Sequence, residues 1–234
     1  LIDDKRSVFA VLSEKAEGSA RAIPISACSG LCWLTAASPD DLKQWAEAGI
    51  LKRIYDKNGS YTSSFMASRL WVADYAAKNE IGKVLDFNEL AESSGDKTGK
   101  GIKRLGVLRA DVDGLGAAFI AGFIHKENKN PEAYATLSRY AALSRSMALF
   151  FKKIIKGICK KELPEGIKPF YLFEDKDGEP RKIHVVYSGG DDLFLVGAWD
   201  DLMGFAVDLK RAFSVYTNGK LTFSAGLGLY SSTY

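Results

Sequence analysis

Short apolar runs separated by polar turns divide the first part of the chain into predicted strands and one helix. We predict strands at 22–26, 32–35 and 51–55 and a helix at 41–48. Ser38 can cap this helix, Pro39 suits its first turn and Gly49 can end it. The pattern therefore predicts a small α+β domain.

The second part of the chain has a clearer pattern. We predict strands at 104–111, 170–174, 182–187, 193–196 and 221–230, and helices at 115–126, 130–163 and 200–216. Asn130 and Pro131 indicate the start of the long helix, and the Asp-Gly pair at 177–178 indicates a hairpin between the second and third strands. We assign the order β-α-α-β-β-α-β, which is typical of a ferredoxin-like antiparallel sheet with helices on one face.

A polar segment lies between these two parts. Residues 92–101 contain three glycines and no large apolar side chain, which is typical of a surface linker. We therefore expect a small domain at 1–91, a linker at 92–103 and a second domain at 104–234.

Composition narrows the class of protein. The 234 residues are 47% hydrophobic and 26% charged, with a net charge of +3, which is too balanced to indicate nucleic-acid binding by itself. Three cysteines favour a reducing compartment. The weakly polar run 115–124 is too short to span a bilayer and no leader is evident, so we expect a cytoplasmic protein without membrane contact. The chain starts at Leu1, and we expect it to be a piece of a longer protein.

Two acidic clusters carry the candidate chemistry. Asp111 ends a predicted strand, and Asp191 and Asp192 lie in the turn before a later one. Neighbouring carboxylates repel each other, and a divalent cation removes that cost. Oxygen ligands suit Mg²⁺ or Mn²⁺, and two such ions can activate a hydroxyl and stabilise a leaving pyrophosphate.

Glycines flank both acidic clusters. Gly189 and Gly190 permit a tight turn and close approach of a ligand, while Gly114 and Gly116 can expose backbone N–H groups to a triphosphate at a helix start. A Gly-Gly-Asp-Asp run alone is more often a solvent-exposed hairpin turn. The combination of both clusters on this order of elements favours a functional site.

The motifs LRADVDGLG, YSGGDDLFLVG and TFSAGLGLY resemble the GGDD palm domain of the large subunit of type III CRISPR effector complexes. Upstream, RIYDKN and RLWVADYAAKN resemble the segment between the two palms of that family. The resemblance covers most of the chain. It implies synthesis of cyclic oligoadenylate second messengers from ATP, in a complex that contains guide RNA, target RNA and other CRISPR subunits.

The resemblance also implies roles for individual residues. Metal would be held by Asp111, the Val112 carbonyl, Asp191 and Asp192; phosphates would be contacted by Asp113, Gly114, Leu115 and Gly116; and Ser188, Gly189 and Gly190 would lie along the nucleotide. Asp111, Asp191 and Asp192 would be catalytic. The family's nuclease domain is not expected from this sequence, which has two histidines and no His-Asp pair.

Two other functions remain open at this point. A GGDEF-type diguanylate cyclase would use GTP, although Asp192 replaces the usual Glu and Leu193 the usual Phe. A non-catalytic scaffold would keep the motif only to bind a nucleotide.

Overall fold

The computed structural model describes residues 8–17, 22–27, 30–57, 65–127 and 129–231. Contacts divide the chain into two compact units, Leu1–Val72 and Ala73–Tyr234, which are described separately. Among the described residues, no helix has both the length and the apolar character needed to cross a membrane.

In its described residues, the first unit forms a five-stranded sheet with one helix. Its elements are β1 (Val8–Leu12), β2 (Ile23–Ala27), β3 (Gly30–Ala36), α1 (Pro39–Glu47), β4 (Leu51–Lys57) and β5 (Ser68–Leu70), in the sheet order β2-β3-β1-β4-β5. Only β4 and β5 pair in parallel among these strands. Helix α1 packs Leu42 and Trp45 into the core of this unit. The helix begins at Pro39, two residues before the predicted start, and Ser38 caps it as expected. The Ser38 side chain accepts from the Asp41 N–H, and the Asp41 side chain accepts from the Ser38 N–H.

The second unit is built on a four-stranded antiparallel sheet. Its elements are α2 (Phe87–Glu92), β6 (Leu105–Val112), α3 (Leu115–Ala121), α4 (Leu137–Leu149), α5 (Ile155–Cys159), β7 (Ile183–Gly189), β8 (Asp192–Ala198), α6 (Trp199–Tyr216) and β9 (Phe223–Tyr230). A π-helical turn, Phe150–Ile154, joins α4 to α5. If α4, the π-helical turn and α5 are counted as one long helix, the chain from β6 onward follows the predicted order β-α-α-β-β-α-β. The sheet order β7-β8-β6-β9 is ferredoxin-like.

The core of this unit lies on one face of the sheet. Leu108, Leu193 and Leu195 are fully buried there. They belong to the same apolar cluster as Phe205 and Phe213 of α6. Because side chains alternate between faces along a strand, their neighbours in sequence lie on the other face. We call it the open face, because it is exposed around Arg109 and Asp111, although Val196 on β8 is buried.

Three predicted elements differ from the structure. The long helix starts at Leu137 instead of 130, because 131–134 form turns and the Pro131 carbonyl accepts from His125 N–H. Residues 170–174 form no strand, because the Phe170 N–H donates to Asp208. Helix α3 ends at Ala121, before Gly122 and the turn that follows it.

The predicted linker at 92–103 packs within the second unit. Ser94 is fully buried and its hydroxyl donates to the Arg104 carbonyl at 2.9 Å. Gly95 N–H donates to Asp200 Oδ1 at 3.4 Å. Upstream, the Ala77 N–H donates to the Ile183 carbonyl at the edge of β7. Residues before the predicted linker therefore also belong to the second unit, which begins at Ala73. The domain limits at 91 and 104 stay a prediction.

Candidate metal and nucleotide site

The site is formed where neighbouring strands of the second unit end. Asp111, near the end of β6, lies opposite Asp192, the first residue of β8. Asp192 in turn lies opposite Gly189 at the end of β7. The Val112 N–H donates to the Asp191 carbonyl at 3.2 Å, which holds the β7–β8 turn against β6.

This pairing brings the three predicted carboxylates together. One oxygen from each of Asp111, Asp191 and Asp192 can be chosen so that all three lie within 4.8 Å of one another. Asp111 and Asp191 are exposed and Asp192 is half-buried. A cluster of carboxylate oxygens open to solvent is the donor set that Mg²⁺ and Mn²⁺ prefer, so these residues fit the expected metals.

The charges of the neighbouring carboxylates also affect the pKa of Asp111. Loss of hydration and the negative charges of Asp191 and Asp192 raise the pKa of Asp111 above its ordinary value, while Arg109 opposes this shift. Placing the three acids close together therefore disfavours the ionised form of Asp111. A bound cation would remove the repulsion, because it favours the ionised form of each group.

Glycines shape the two turns around the carboxylates. Gly190 and Gly114 both have φ of 65°, in the left-handed region that glycine adopts without strain. Gly114 is also the residue before α3, whose first turn leaves backbone N–H groups without partners inside the helix. The backbone at the start of α3 can therefore offer N–H groups to a phosphate. The contact of Gly114 and Gly116 with phosphate stays a prediction.

Asp113 has hydrogen-bond partners at the start of β9 and in the residue before it. Its carboxylate accepts from the hydroxyl of Thr222 at 2.8 Å and from that of Ser224 at 2.7 Å. Its N–H donates to the Thr222 carbonyl at 2.8 Å. The bonds from Ser224 and Thr222 hold the pKa of Asp113 below its ordinary value. Asp113 thus fixes the β6–α3 turn to β9, and the predicted phosphate contact of its side chain is untested.

Three other predicted residues can face a ligand only through their backbone. The side chains of Leu115 and Val112 are buried in the core of the second unit. The Ser188 hydroxyl donates to the carbonyl of Phe151, in the π-helical turn. Their predicted contacts with metal, phosphate and nucleotide therefore concern main-chain atoms.

Sequence reasoning missed the side chains beside the carboxylates on the open face. A cleft of about 220 Å³ is lined by Arg109, Tyr187, Asp192, Leu193 and Phe194. Arg109 Nη2 lies 3.6 Å from Asp192 Oδ1, and the Arg109 side chain is 75% exposed. The alternation of strand residues could have indicated Arg109, because it precedes Asp111 by two positions and so shares its face.

Residues 104–234 match the family model described as Cas10/Cmr2, second palm domain. Over 218 residues the chain is 36% identical to a CRISPR system single-strand-specific deoxyribonuclease Cas10/Csm1 (subtype III-A) of Mycobacterium tuberculosis, covering 93% of this chain and 24% of that protein. Over 179 residues it is 39% identical to the Cas10/Csm1 of Streptococcus thermophilus, which covers 76% of this chain and 20% of that protein. The chain thus spans about a quarter or less of the length of these relatives.

Solved structures of Csm1 share the fold. A crystal structure of an apo Csm1–Csm4 cassette superposes with a TM-score of 0.66 at 29% identity, covering 99% of this chain and 29% of that one. A Csm1–Csm4 cassette in complex with cA4 gives a TM-score of 0.61 at 37% identity, covering 78% of this chain and 24% of that one. A cassette in complex with one ATP gives 0.60 at 37% identity, with the same coverage.

Proposed function

The chain belongs to the Cas10/Cmr2 second palm domain family, and from this premise we propose that it is a nucleotidyltransferase centre that makes cyclic oligoadenylates from ATP. The observation that carries the proposal is the convergence of Asp111, Asp191 and Asp192 within 4.8 Å. The ATP and cA4 complexes of similar Csm1–Csm4 cassettes support the choice of nucleotide.

In the proposed reaction, the 3′-hydroxyl of one nucleotide attacks the α-phosphate of another and pyrophosphate leaves. Asp111, Asp191, Asp192 and the Val112 carbonyl would hold Mg²⁺ or Mn²⁺, which supplies charge for hydroxyl activation and leaving-group stabilisation. Activation of the hydroxyl by metal would suffice, and Asp191 is the alternative group to take the hydroxyl proton. The Gly114 turn and the first turn of α3 would orient the triphosphate through backbone N–H groups.

The proposal includes the surroundings of this centre. The chain would work in an RNA-guided type III CRISPR effector complex in the cytoplasm, where target RNA paired with guide RNA controls its activity. The names of the similar structures include Csm4, which supports a partner subunit of that kind. Antiviral defence would follow from the cyclic product acting as a second messenger.

The test uses the full-length protein in its complex with target RNA, ATP or GTP, and Mg²⁺ or Mn²⁺. We expect cyclic oligoadenylate and pyrophosphate from ATP, identified by mass, and loss of both in the double variant Asp191→Ala, Asp192→Ala. Glu165→Ala, which removes an exposed acid from another loop, is the matched control and should retain activity. Full activity in the double variant contradicts the proposal.

Two outcomes would favour the other functions. A cyclic dinucleotide formed from GTP, without an ATP product, would indicate a diguanylate cyclase. Binding of ATP with Mg²⁺ but no turnover in the activated complex would indicate a scaffold.

A further inference from the structure

Strand β7 contains a bulge just before the turn that leads to the carboxylates. Its pairing with β8 shifts by one residue between Val185 and Tyr187, so Val186 between them has no opposite residue on β8. A bulge adds one residue to its strand, and the extra residue turns the side chains after it to the other face of the sheet. The bulge at Val186 therefore decides which face the next residues, Tyr187 and Ser188, occupy.

After the bulge, Ser188 lies on the core face of the sheet. It is opposite Leu193, which is fully buried in the core of the second unit. Asp192, the residue before Leu193, lies opposite Asp111 on the open face. Because side chains alternate along a strand, the Ser188 hydroxyl and these two carboxylates lie on opposite faces. A ligand bound to the carboxylates on the open face thus lies across the sheet from this hydroxyl.

The hydroxyl of Ser188 instead meets an irregular helical turn. In the π-helical turn Phe150–Ile154, the Ile155 N–H donates to the Phe150 carbonyl, five residues earlier. In an α-helix it would donate to the Phe151 carbonyl, four residues earlier. The Ser188 hydroxyl donates to that Phe151 carbonyl. The π-helical turn and the bulge in β7 therefore bring this donor and this acceptor together.

The core holds the π-helical turn in place. Phe150, Phe151 and Ile155 are all buried in the apolar cluster of the second unit. The ring of Phe150 packs edge-to-face on that of Phe213 in α6, with 5.0 Å between the ring centroids. Since protein cores are close-packed, these contacts leave the Phe151 carbonyl little freedom to move. It is a firm point of attachment for the chain at Ser188.

The turn that follows Ser188 has few side-chain contacts of its own. Gly189 and Gly190 have no side chains, and a Cβ added at Gly190 would meet no atom within 4 Å. On the side of β6, the Val112 N–H donates to the Asp191 carbonyl at 3.2 Å. The bond of Ser188 attaches the turn on the side of β7.

We propose that Ser188 is a positioning residue, which fixes the β7–β8 turn to the π-helical turn so that Asp191 and Asp192 bind divalent metal together with Asp111. The inference rests on the metal site of the function proposed above. The Ser188 side chain acts through the turn and makes no contact with the nucleotide. Single π-helical turns inside α-helices occur frequently at functional sites, which agrees with this role.

The test separates metal binding from nucleotide binding in the full-length protein with its partner subunits. Electron paramagnetic resonance measures the dissociation constant of Mn²⁺ without nucleotide, and ATP turnover at saturating Mn²⁺ gives kcat and KM. We expect Ser188→Ala to weaken Mn²⁺ binding by about two- to tenfold, the effect of one lost hydrogen bond. It should lower kcat and leave the KM for ATP unchanged. Ser188→Thr, which keeps the hydroxyl, should restore both Mn²⁺ affinity and kcat.

Two further variants control for general loosening of the core. The Ser146 hydroxyl in α4 lies 3.0 Å from the Tyr216 hydroxyl in α6, far in sequence from the carboxylates. Ser146→Ala should lower the melting temperature but change neither Mn²⁺ affinity nor kcat. Ser188→Cys keeps the size of serine with a weaker donor. It should lie between serine and alanine, and it decides the case where Ser188→Ala does not assemble.

The outcomes distinguish this inference from the proposed function. If Ser188→Ala keeps its Mn²⁺ affinity and kcat, or raises only the KM for ATP, the positioning role is wrong, while loss of product in Asp191→Ala with Asp192→Ala still supports the enzyme. Equal loss of Mn²⁺ affinity in Ser146→Ala also overturns the role. If the unchanged complex binds Mn²⁺ without forming product, the proposed function fails and the Mn²⁺ constants alone decide the role of Ser188. If it binds no Mn²⁺, both proposals fail.

Discussion

At the scale of single residues, the second unit buries a charged pair between α6 and the segment before β7. Arg181 is 1% exposed, and its guanidinium donates to the fully buried carboxylate of Asp208. The same guanidinium donates to the carbonyl of Phe170 at 3.2 Å, and Asp208 accepts from the Phe170 N–H at 3.0 Å. The pair therefore fixes 170–181 against α6 through hydrogen bonds instead of a hairpin.

Removing one member of this pair should be costly. Asp208→Ala removes the hydrogen-bonded carboxylate and, among the described residues, leaves Arg181 with only Asp201, 3.9 Å away, as a counter-ion. We therefore expect the free energy of unfolding to fall by about 3 kcal/mol in urea denaturation. Arg211, half-exposed and 3.9 Å from Asp208, is the control. Arg211→Ala should cost no more than about 1 kcal/mol, and equal losses in the two variants would contradict this explanation.

The raised pKa of Asp111 gives a second prediction at this scale. Because loss of hydration and the neighbouring carboxylates raise its pKa, Asp111 should take up its proton at a higher pH than an ordinary aspartate as pH falls. Protons would then compete with metal from that higher pH downward. Carboxyl NMR shifts of the metal-free protein measure this titration directly.

A variant tests the cause of that shift. Asp191→Asn removes one of the like charges, so the pKa of Asp111 should move down toward its ordinary value. Glu165→Gln, which alters an exposed acid in another loop, should leave the pKa of Asp111 in place. An unchanged Asp111 titration in Asp191→Asn would mean that the charge of Asp191 does not contribute to the raised pKa.

At the scale of elements, local pattern predicts those helices and strands whose ends are defined by nearby residues. Helix α1 has a reciprocal cap, and α6 ends beside Asn218 and Gly219, which both adopt positive φ. The sequence pattern wrongly predicted a helix start at 130 and a strand at 170–174. There, contacts with residues elsewhere in the chain, such as Asp208, decide the backbone path.

The two glycines of the β7–β8 turn should respond differently to alanine. Gly190 has φ of 65°, which costs a residue with a Cβ about 1–2 kcal/mol. A Cβ on Gly189 would lie 3.5 Å from the Tyr187 hydroxyl, an ordinary contact, and its φ is not positive. We expect Gly190→Ala to lower the melting temperature clearly more than Gly189→Ala does.

Asparagine provides the control for this turn. It tolerates the left-handed conformation better than alanine, so Gly190→Asn should recover part of the loss. If Gly190→Ala melts at the temperature of the unchanged protein, the turn does not depend on the left-handed conformation.

At the scale of the whole molecule, the chain before β6 contributes to the second unit. Tyr75 and Ala77 are buried, and the Tyr75 hydroxyl donates to the Arg181 carbonyl at 2.7 Å. Leu90 and Ala91 of α2 are fully buried as well. The palm sheet is therefore completed by residues that lie outside the region matched by the family model.

Two fragments test this dependence. We expect residues 73–234 to fold cooperatively, since they form one compact unit. Residues 104–234 should melt at a lower temperature, because they lose the buried side chains of Tyr75, Ala77, Leu90 and Ala91. Equal melting temperatures would support the domain limit predicted at 104.

The sequence by itself determined the order of elements in the palm sheet, the acidic positions at strand ends and the glycines of the turns, because periodicity and turn chemistry are local properties. Tertiary structure alone decided that Asp111 meets Asp191 and Asp192, that Asp113 bonds to β9 and that Arg109 lies across from Phe194. These contacts depend on the register between strands distant in sequence. That register is fixed by packing of the whole core, which no local pattern specifies.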